Sequence, residues 1–185
     1  MESNRIIMTI EINTNGTESF YREVVSVIAQ YQNLLKEPSK KYKDIFKTYR
    51  NMGLCLAALF VLMLIIGITS GFSALTIVAL VVLIIAGVMV VVLDHAMRKQ
   101  VKNYLAEGGD SVLTLDENGV EIGKENSQTV RLAWDNVAFV RKFEEAICFF
   151  SKEATRIVIA VPAEHEQEIY DYLDDNSIDV PRFQL

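Results

Sequence analysis

Residues 51–93 read NMGLCLAALFVLMLIIGITSGFSALTIVALVVLIIAGVMVVVL, a run of 43 residues that contains no Asp, Glu, Lys or Arg. Arg50 precedes the run and Asp94 follows it. The hydrocarbon core of a bilayer is about 30 Å thick and a helix needs about 20 apolar residues to cross it, so the run is long enough for two spans. Small and polar residues at 68–73 favour a turn in its middle. The sequence therefore predicts a two-helix transmembrane hairpin.

We predict the first span over Asn51–Ile68 and the second over Phe72–Leu93. A helical hairpin buried in a soluble core is the alternative, but no other segment is large enough to cover it. Nine of the 18 basic residues flank the hairpin, and none lies in the loop between the spans. Because short cytoplasmic segments carry an excess of Lys and Arg, both termini are expected in the cytoplasm. The nine flanking residues are Lys36, Lys40, Lys41, Lys43, Lys47, Arg50, Arg98, Lys99 and Lys102.

The N-terminal segment, residues 1–50, is expected to be retained as structure, because its first 20 residues carry charges and no long apolar run. Alternating residues at 6–12 predict a strand, and the helical spacing of apolar residues at 18–35 predicts an amphipathic helix. Ser39 is placed to cap a second, basic and aromatic helix that runs into the first span. This helix is either an ordinary topology signal or a lipid-sensing anchor, since each Lys near anionic lipid gains about 1 kcal/mol.

After the hairpin, a short exit helix is predicted over 94–107, and residues 108–185 predict six short strands and a C-terminal helix. The first hairpin turns at Asp116–Gly119, where the Gly is expected to take a positive φ. The third strand is expected to include Trp134, and Pro162 is expected to open the helix. Trp134, Phe149 and Phe150 are core candidates.

The predicted fold is therefore an α+β membrane protein, a transmembrane hairpin with a small antiparallel β domain capped by a C-terminal helix. If both termini are cytoplasmic, the N-terminal strand can pair at the edge of the sheet. Seven strands followed by a helix is the element count of a pleckstrin-homology-like domain, here split by the hairpin.

Three motifs of the C-terminal region resemble a known family. They are Leu113–Val120 in the first hairpin, Trp134–Val137 at a strand end and Ile157–Pro162 in the last strand. Together with the two preceding spans, they resemble the YcxB-like family of bacterial two-span membrane proteins. The resemblance implies a multi-pass protein of the bacterial cytoplasmic (inner) membrane with a C-terminal pleckstrin-homology-like domain. It implies no chemistry.

No catalytic residue, cofactor or metal site is predicted. His95 is expected at the membrane interface, and His165 lacks the second His that a zinc-protease helix would need, because Ile169 stands at that position. Cys55 lies in the apolar run and Cys148 in a strand, so neither is typical of an activated thiolate. We expect that the protein is not an enzyme.

The charge distribution limits the possible partners. The chain is 51% hydrophobic with a mean hydropathy of +0.23 and a net charge of -6, which disfavours a disordered or nucleic-acid-binding protein. Residues 107–185 hold 17 acidic and seven basic residues. The acidic first hairpin makes phosphoinositide binding unlikely, because headgroup phosphates need cationic donors. An acidic domain is expected to be repelled from an anionic surface and to leave its faces free for protein partners.

Two candidate surfaces follow from residue spacing. One face of the C-terminal helix is acidic and is a candidate interaction surface; its residues are Glu164, Glu168, Asp171 and Asp175. Small residues in the spans permit close helix packing, either within the hairpin or in a homo-oligomer. These residues are Gly53, Ala57, Gly67, Gly71, Ala79, Ala86 and Gly87.

These observations predict an integral membrane protein whose cytoplasmic domain serves protein interaction or scaffolding. The alternative is an accessory subunit of a transporter or channel that is engaged through the transmembrane hairpin. The protein partner is not identified by the sequence.

Overall fold

The computed structural model describes residues 8–12, 17–106, 111–124, 129–153 and 157–184. The fold is α+β, with two long apolar helices and two small sheets, and its contacts divide the chain into two units. One unit is Lys43–Lys102; the other joins the residues up to Tyr42 with those from Asn103 onward. The strands are β1 (Met8–Ile12), β2 (Ser111–Asp116), β3 (Gly119–Lys124), β4 (Val130–Ala133), β5 (Val137–Lys142), β6 (Ala146–Ser151), β7 (Val158–Pro162) and β8 (Arg182–Phe183). The helices are α1 (Glu18–Ala29), α2 (Tyr31–Lys36), α3 (Ile45–Ser70), α4 (Ala74–Ala106) and α5 (Glu166–Asp175).

The hairpin unit contains two helices, α3 and α4, that are long and apolar enough to cross a membrane. The predicted basic helix is the first part of α3, and the predicted exit helix is the continuation of α4 as far as Ala106. The prediction that Ser39 caps this helix is wrong. Asp44 is the cap: its carboxylate oxygen accepts the backbone N–H groups of Phe46 and Lys47 at 2.8 and 3.2 Å. Between the helices, Gly71 has a φ of 85°, which a residue with a side chain rarely adopts.

The second unit contains two four-stranded sheets. The first has the order β1-β2-β3-β4 and is antiparallel throughout. As expected, the N-terminal strand pairs at the edge: Met8 lies opposite Leu115 and Ile12 opposite Ser111. The second sheet has the order β7-β6-β5-β8, in which β8 runs parallel to β5. Segments before and after the hairpin therefore build one folded unit.

Two expectations about the segment from β2 to β4 are wrong. Gly119 does not have a positive φ. The Asp116 carboxylate instead shapes this turn by accepting the N–H groups of Asn118 and Gly119 at 2.7 and 2.9 Å. Gly is required at 119 because a Cβ there would lie 2.3 Å from the carbonyl oxygen of Leu132 on the neighbouring strand. Trp134 is not part of β4 but begins a single 3-10 turn, Trp134–Asn136, and its indole N–H donates to the Asp116 carbonyl at 2.8 Å.

The inner core lies between the two sheets and α5. Phe149 is fully buried there, and Trp134 packs partly buried against it with ring centres 6.4 Å apart. α5 follows a 3-10 turn at Ala163–His165, so the predicted helix start at Ala163, directly after Pro162, is three residues early. The buried members of the core are Leu113, Leu115, Val120, Leu132, Val137, Val140, Ile147, Phe149, Ile159, Val161, Ile169, Tyr172, Leu173 and Val180.

The outer face of the second sheet is also buried. Along β6, Ile147 and Phe149 belong to the inner core, whereas the alternate residues Cys148 and Phe150 point to the opposite face and are equally buried. The N-terminal helices cover this face, since the ring of Tyr31 in α2 stacks on Phe150 at 5.9 Å. The predicted single helix over 18–35 is interrupted at Gln30, between α1 and α2.

Candidate interaction surfaces

The strongest link between the N-terminal helices and the second sheet is made by Tyr31. Its side chain is 1% exposed, and its hydroxyl lies 2.5 Å from the Ser151 carbonyl oxygen and 3.0 Å from that of Glu153. Burial raises the pKa of this phenol, so the group remains a neutral donor. The contact joins residues 120 positions apart and fixes α2 to the end of β6.

Glu23 forms a second link, from α1 to the turn between β5 and β6. Its carboxylate accepts the backbone N–H groups of Glu144 at 3.3 Å and Glu145 at 2.7 Å. The Phe143 N–H donates to the Ala146 carbonyl at 2.7 Å, which leaves Glu144 and Glu145 as a two-residue turn; such turns favour positive φ, and neither residue has it. The carboxylate therefore stabilises a turn that lacks the preferred geometry. Burial raises the pKa of Glu23, while the backbone hydrogen bonds oppose that rise.

Arg141 holds the segment that leads toward α3. Its side chain is 1% exposed, its Nη1 donates to the Pro38 carbonyl at 2.6 Å, and its guanidinium lies over the Phe143 ring at 4.9 Å. Its Nε has no hydrogen-bond partner in the described part of the chain. Burial lowers the pKa of this guanidinium. Beside it, the ring of Tyr42 meets Phe143 edge-on at 5.5 Å.

The chain that returns from the hairpin is held in a similar way. Tyr104, in the last turn of α4, stacks on Tyr21 of α1 with ring centres 6.0 Å apart and planes inclined by 12°. Aromatic contacts therefore hold the β-domain side of both connections: Tyr42 before the hairpin and Tyr104 after it.

The acidic candidate surface lies around α5 and is solvated. The Glu164 and Glu168 side chains are 77% and 59% exposed, and Asp171 and Asp175 are also exposed. His165 lies between two of them, 3.2 Å from a Glu168 oxygen and 3.7 Å from a Glu164 oxygen. Glu164 belongs to the preceding 3-10 turn and not to the helix itself. The four carboxylates thus share a region and not a single helical stripe.

The small residues of the hairpin fall into two groups. Gly67 is buried, and Gly53, Ala79, Ala86 and Gly87 are half-buried. A Cβ added to Gly53 would lie 3.9 Å from a Val90 methyl group, and one added to Gly67 would overlap the Phe72 ring. Gly67 therefore accommodates the Phe72 ring of the loop, Gly53 faces α4 at an ordinary van der Waals distance, and a Cβ at Gly87 would meet no atom within 4 Å. By contrast, Ala57 and Gly71 are exposed.

Within the described ranges, no group of three or more His, Cys, Asp or Glu side chains is arranged to hold a metal ion. Cys148 is fully buried, and burial raises the pKa of its thiol, which opposes thiolate formation. A cleft of about 380 Å³ lies beside the start of β5 and is lined by Trp134, Asp135, Lys152, Asp179 and Pro181, among others. Lys152 donates across this cleft region to the Asp135 carbonyl at 2.9 Å.

Sequence reasoning missed Glu23 and Arg141 as elements of an interface. A signal was present for the first, because Glu23 lies between Phe20, Val24 and Val27 on the apolar side of α1. A charged residue at such a position indicates a specific polar partner. Arg141 gave no comparable signal, since a basic residue in a strand of a half-solvated sheet is ordinary.

Comparison with known proteins finds no matching family model, no matching curated protein and no matching solved structure.

Proposed function

We propose that this protein is an integral membrane protein whose hairpin anchors a split cytoplasmic β domain, and that this domain acts as a protein-interaction or scaffolding module. The observation that supports it best is the pairing of β1 with β2, because these strands lie on either side of the hairpin in sequence. Two chain segments that share one sheet must lie on the same side of a membrane. The basic residues that flank the hairpin favour the cytoplasmic side.

The finer description of the domain is part of the proposal. β1–β4 in one sheet, β5–β7 in a second and a helix after β7 follow the order of a pleckstrin-homology-like domain. The resemblance to YcxB-like proteins supports a location in the bacterial inner membrane. We also propose that the protein is not an enzyme and uses no cofactor; the protonated, buried thiol of Cys148 is consistent with that view.

The proposed topology is tested by labelling single cysteines with a membrane-impermeant maleimide in intact cells. In a Cys55→Ser, Cys148→Ser background, Ser70→Cys marks the end of α3 next to the loop between the helices, and Glu117→Cys marks the β2–β3 turn. We expect labelling of Ser70→Cys in intact cells and of Glu117→Cys only after the membrane is permeabilised. Labelling of Glu117→Cys in intact cells would contradict a cytoplasmic domain.

The proposed interaction role is tested by crosslinking in native membranes, with proteins captured on the full-length chain identified afterwards. A variant with Glu164, Glu168, Asp171 and Asp175 changed to their amides is expected to lose the captured partner. The matched control changes Asp135, Glu144, Glu145 and Glu153 to their amides, which removes the same charge from other exposed sites. Equal capture by all three proteins would exclude the acidic surface as the contact.

A second candidate function is an accessory subunit that engages a transporter or channel through the hairpin. It is favoured by the large apolar surface that both helices leave uncovered, including Leu54, Ile68, Leu75 and Val91, each at least 66% exposed. Replacing residues 51–93 with an unrelated hairpin distinguishes the two functions. Loss of the partner after this exchange supports the accessory role, and retention supports the scaffold.

A further inference from the structure

The end of the hairpin unit at which α3 begins and α4 finishes is strongly basic. Between Lys43 and Lys102 the chain carries six basic and two acidic residues, a balance of +4, although the whole chain has a net charge of -6. All eight lie outside the apolar run. The basic ones are Lys43, Lys47, Arg50, Arg98, Lys99 and Lys102.

Two contacts fix the relative register of the helices at this end. The Arg98 guanidinium lies 5.8 Å from the centre of the Phe46 ring, and a Cβ at Gly53 would be 3.9 Å from a Val90 methyl group. Phe46 is therefore level with Arg98, and Gly53, seven residues further along α3, is level with Val90, eight residues back along α4. This antiparallel register places Arg50 level with the turn of α4 around Asp94. Basic side chains from both helices therefore surround the same end of the hairpin.

The two acidic residues of this unit are already engaged. The Asp44 carboxylate caps α3, and the Asp94 carboxylate accepts Arg98 Nε at 2.6 Å. Four exposed basic side chains, which we call the basic collar, make no ion pair with any residue that the structure describes. The basic collar consists of Lys47, Arg50, Lys99 and Lys102.

The basic collar adjoins an apolar surface directly. Met52 and Leu54, two and four residues beyond Arg50, are 41% and 66% exposed, and Leu93 on α4 is 41% exposed. A ligand that fits both parts must carry an anionic group next to a long apolar chain. A nucleic acid or an acidic peptide would satisfy the charges and leave the apolar surface uncovered. An anionic phospholipid satisfies both, with its phosphate among the cations and its acyl chains along the helices.

We propose that the basic collar is a binding site for anionic phospholipid, in which Lys47 and Arg50 of α3 and Lys99 and Lys102 of α4 contact headgroup phosphates. The site rests on the proposed insertion of the hairpin in a membrane. It is separate from the acidic β domain, for which headgroup binding is not expected. Its consequence is a preference for anionic over zwitterionic lipid that depends on these four side chains.

The test is native mass spectrometry of the full-length protein from detergent micelles that contain phosphatidylglycerol and phosphatidylcholine in equal amounts with identical acyl chains. Wild-type protein is expected to retain phosphatidylglycerol preferentially. Changing the four residues of the basic collar to Gln is expected to reduce that preference at least about tenfold. The single variant Arg50→Gln provides a graded, smaller loss if the quadruple variant does not fold, and Arg50→Lys is expected to retain the preference.

A matched control changes Lys36, Lys40, Lys41 and Lys152 to Gln, which removes four exposed positive charges from the other unit. It is expected to keep the wild-type preference; an equal loss in this control would overturn the site. Equal retention of both lipids by the wild-type protein would also overturn the site. A wild-type dimer that forms in place of the lipid complex and is lost in the quadruple variant would overturn it as well. Resistance of the protein to extraction from liposomes by alkaline carbonate is measured in parallel. Extraction would refute the membrane proposal itself, whereas firm insertion without lipid preference would refute only the lipid site.

Discussion

The two faces of the second sheet are both buried, but they are built from different side chains. The inner face meets the first sheet and α5 in a core whose described members are hydrophobic and follow the hairpin in sequence. The outer face holds Cys148 and Phe150 beside the cross-strand partner of Cys148, the buried cation Arg141. Its cover, α1 and α2, precedes the hairpin.

This difference indicates how the chain is assembled. The described members of the inner core lie in residues 111–184, and β1, from before the hairpin, pairs at the edge of the first sheet. The outer face, by contrast, is covered by α1 and α2, so the residues before α3 must pack on those after α4. Buried polar groups such as Glu23 and Arg141 make this packing specific, because burying either charged side chain costs free energy unless its hydrogen-bond partner is in place.

The largest expected effect is that of a substitution in the inner face. Phe149→Ala creates a cavity in the inner core and is expected to lower the free energy of unfolding by about 3–5 kcal/mol. The measurement is denaturation in detergent, followed by the fluorescence of Trp134, the single tryptophan of the chain. Phe149 is fully buried and lies next to this tryptophan, so the probe reports on the inner core.

Phe150→Ala is the matched variant, because it removes the same fully buried side chain from the next position of β6. In a Cys55→Ser background, it is expected to leave Trp134 emission native in the absence of denaturant. The same variant is expected to increase alkylation of the buried Cys148 by roughly tenfold or more, equivalent to about 1.4 kcal/mol of easier opening. If Trp134 and Cys148 respond together in both variants, the two faces form one cooperative unit and the comparison fails.

A smaller effect is expected from Tyr31→Phe. The substitution keeps the ring on Phe150 but removes the hydroxyl that lies near the carbonyl oxygens of Ser151 and Glu153. Loss of this buried hydrogen bond is expected to cost about 0.5–1.5 kcal/mol, visible as faster alkylation of Cys148. Tyr104→Phe is the control, since Tyr104 is 41% exposed and its ring stacking is preserved. Equal effects of the two substitutions would contradict a specific role for the Tyr31 hydroxyl.

Sequence patterns predicted the elements that depend on local periodicity. The hairpin helices, the strands from β2 to β7 and the C-terminal helix all follow from apolar spacing and turn residues. The pairing of β1 was expected instead from the prediction that both termini lie on one side of the hairpin. The break at Gln30 escaped prediction because α2 resumes with Tyr31 and Leu34 on the buried side, so the periodicity continues across it. β8 escaped because it is two residues long and is formed by a tertiary contact, the Val140 N–H donating to the Pro181 carbonyl at 2.9 Å.

The predictions that are wrong concern features set by residues distant in sequence or by a competing local cap. Gly119 matches a turn that needs positive φ, but the actual constraint is the Leu132 carbonyl of the adjacent strand. Ser39 is a good cap by type, but Asp44 lies closer to the apolar run and binds two N–H groups of α3. Phe149 and Phe150 were expected in one core, and only the covering of the outer face by α1 and α2 shows that they belong to two.

The smallest effect concerns pH and tests the polar character of the outer face. Burial raises the pKa of Glu23 above its unfolded value of 4.5, so the folded protein holds this proton more tightly than the unfolded chain does. The resulting stabilisation is fully present below pH 4.5 and is lost as the pH rises through the higher pKa of the folded state. Relative to Glu23→Gln, which cannot titrate here, wild-type protein is therefore expected to lose stability as the pH rises above 4.5. Unfolding midpoints of both proteins measured from pH 4 to pH 8 test this, with Asp175→Asn, an exposed carboxylate on α5, as control; a wild-type advantage that grows with pH would mean that the hydrogen bonds to the turn outweigh burial.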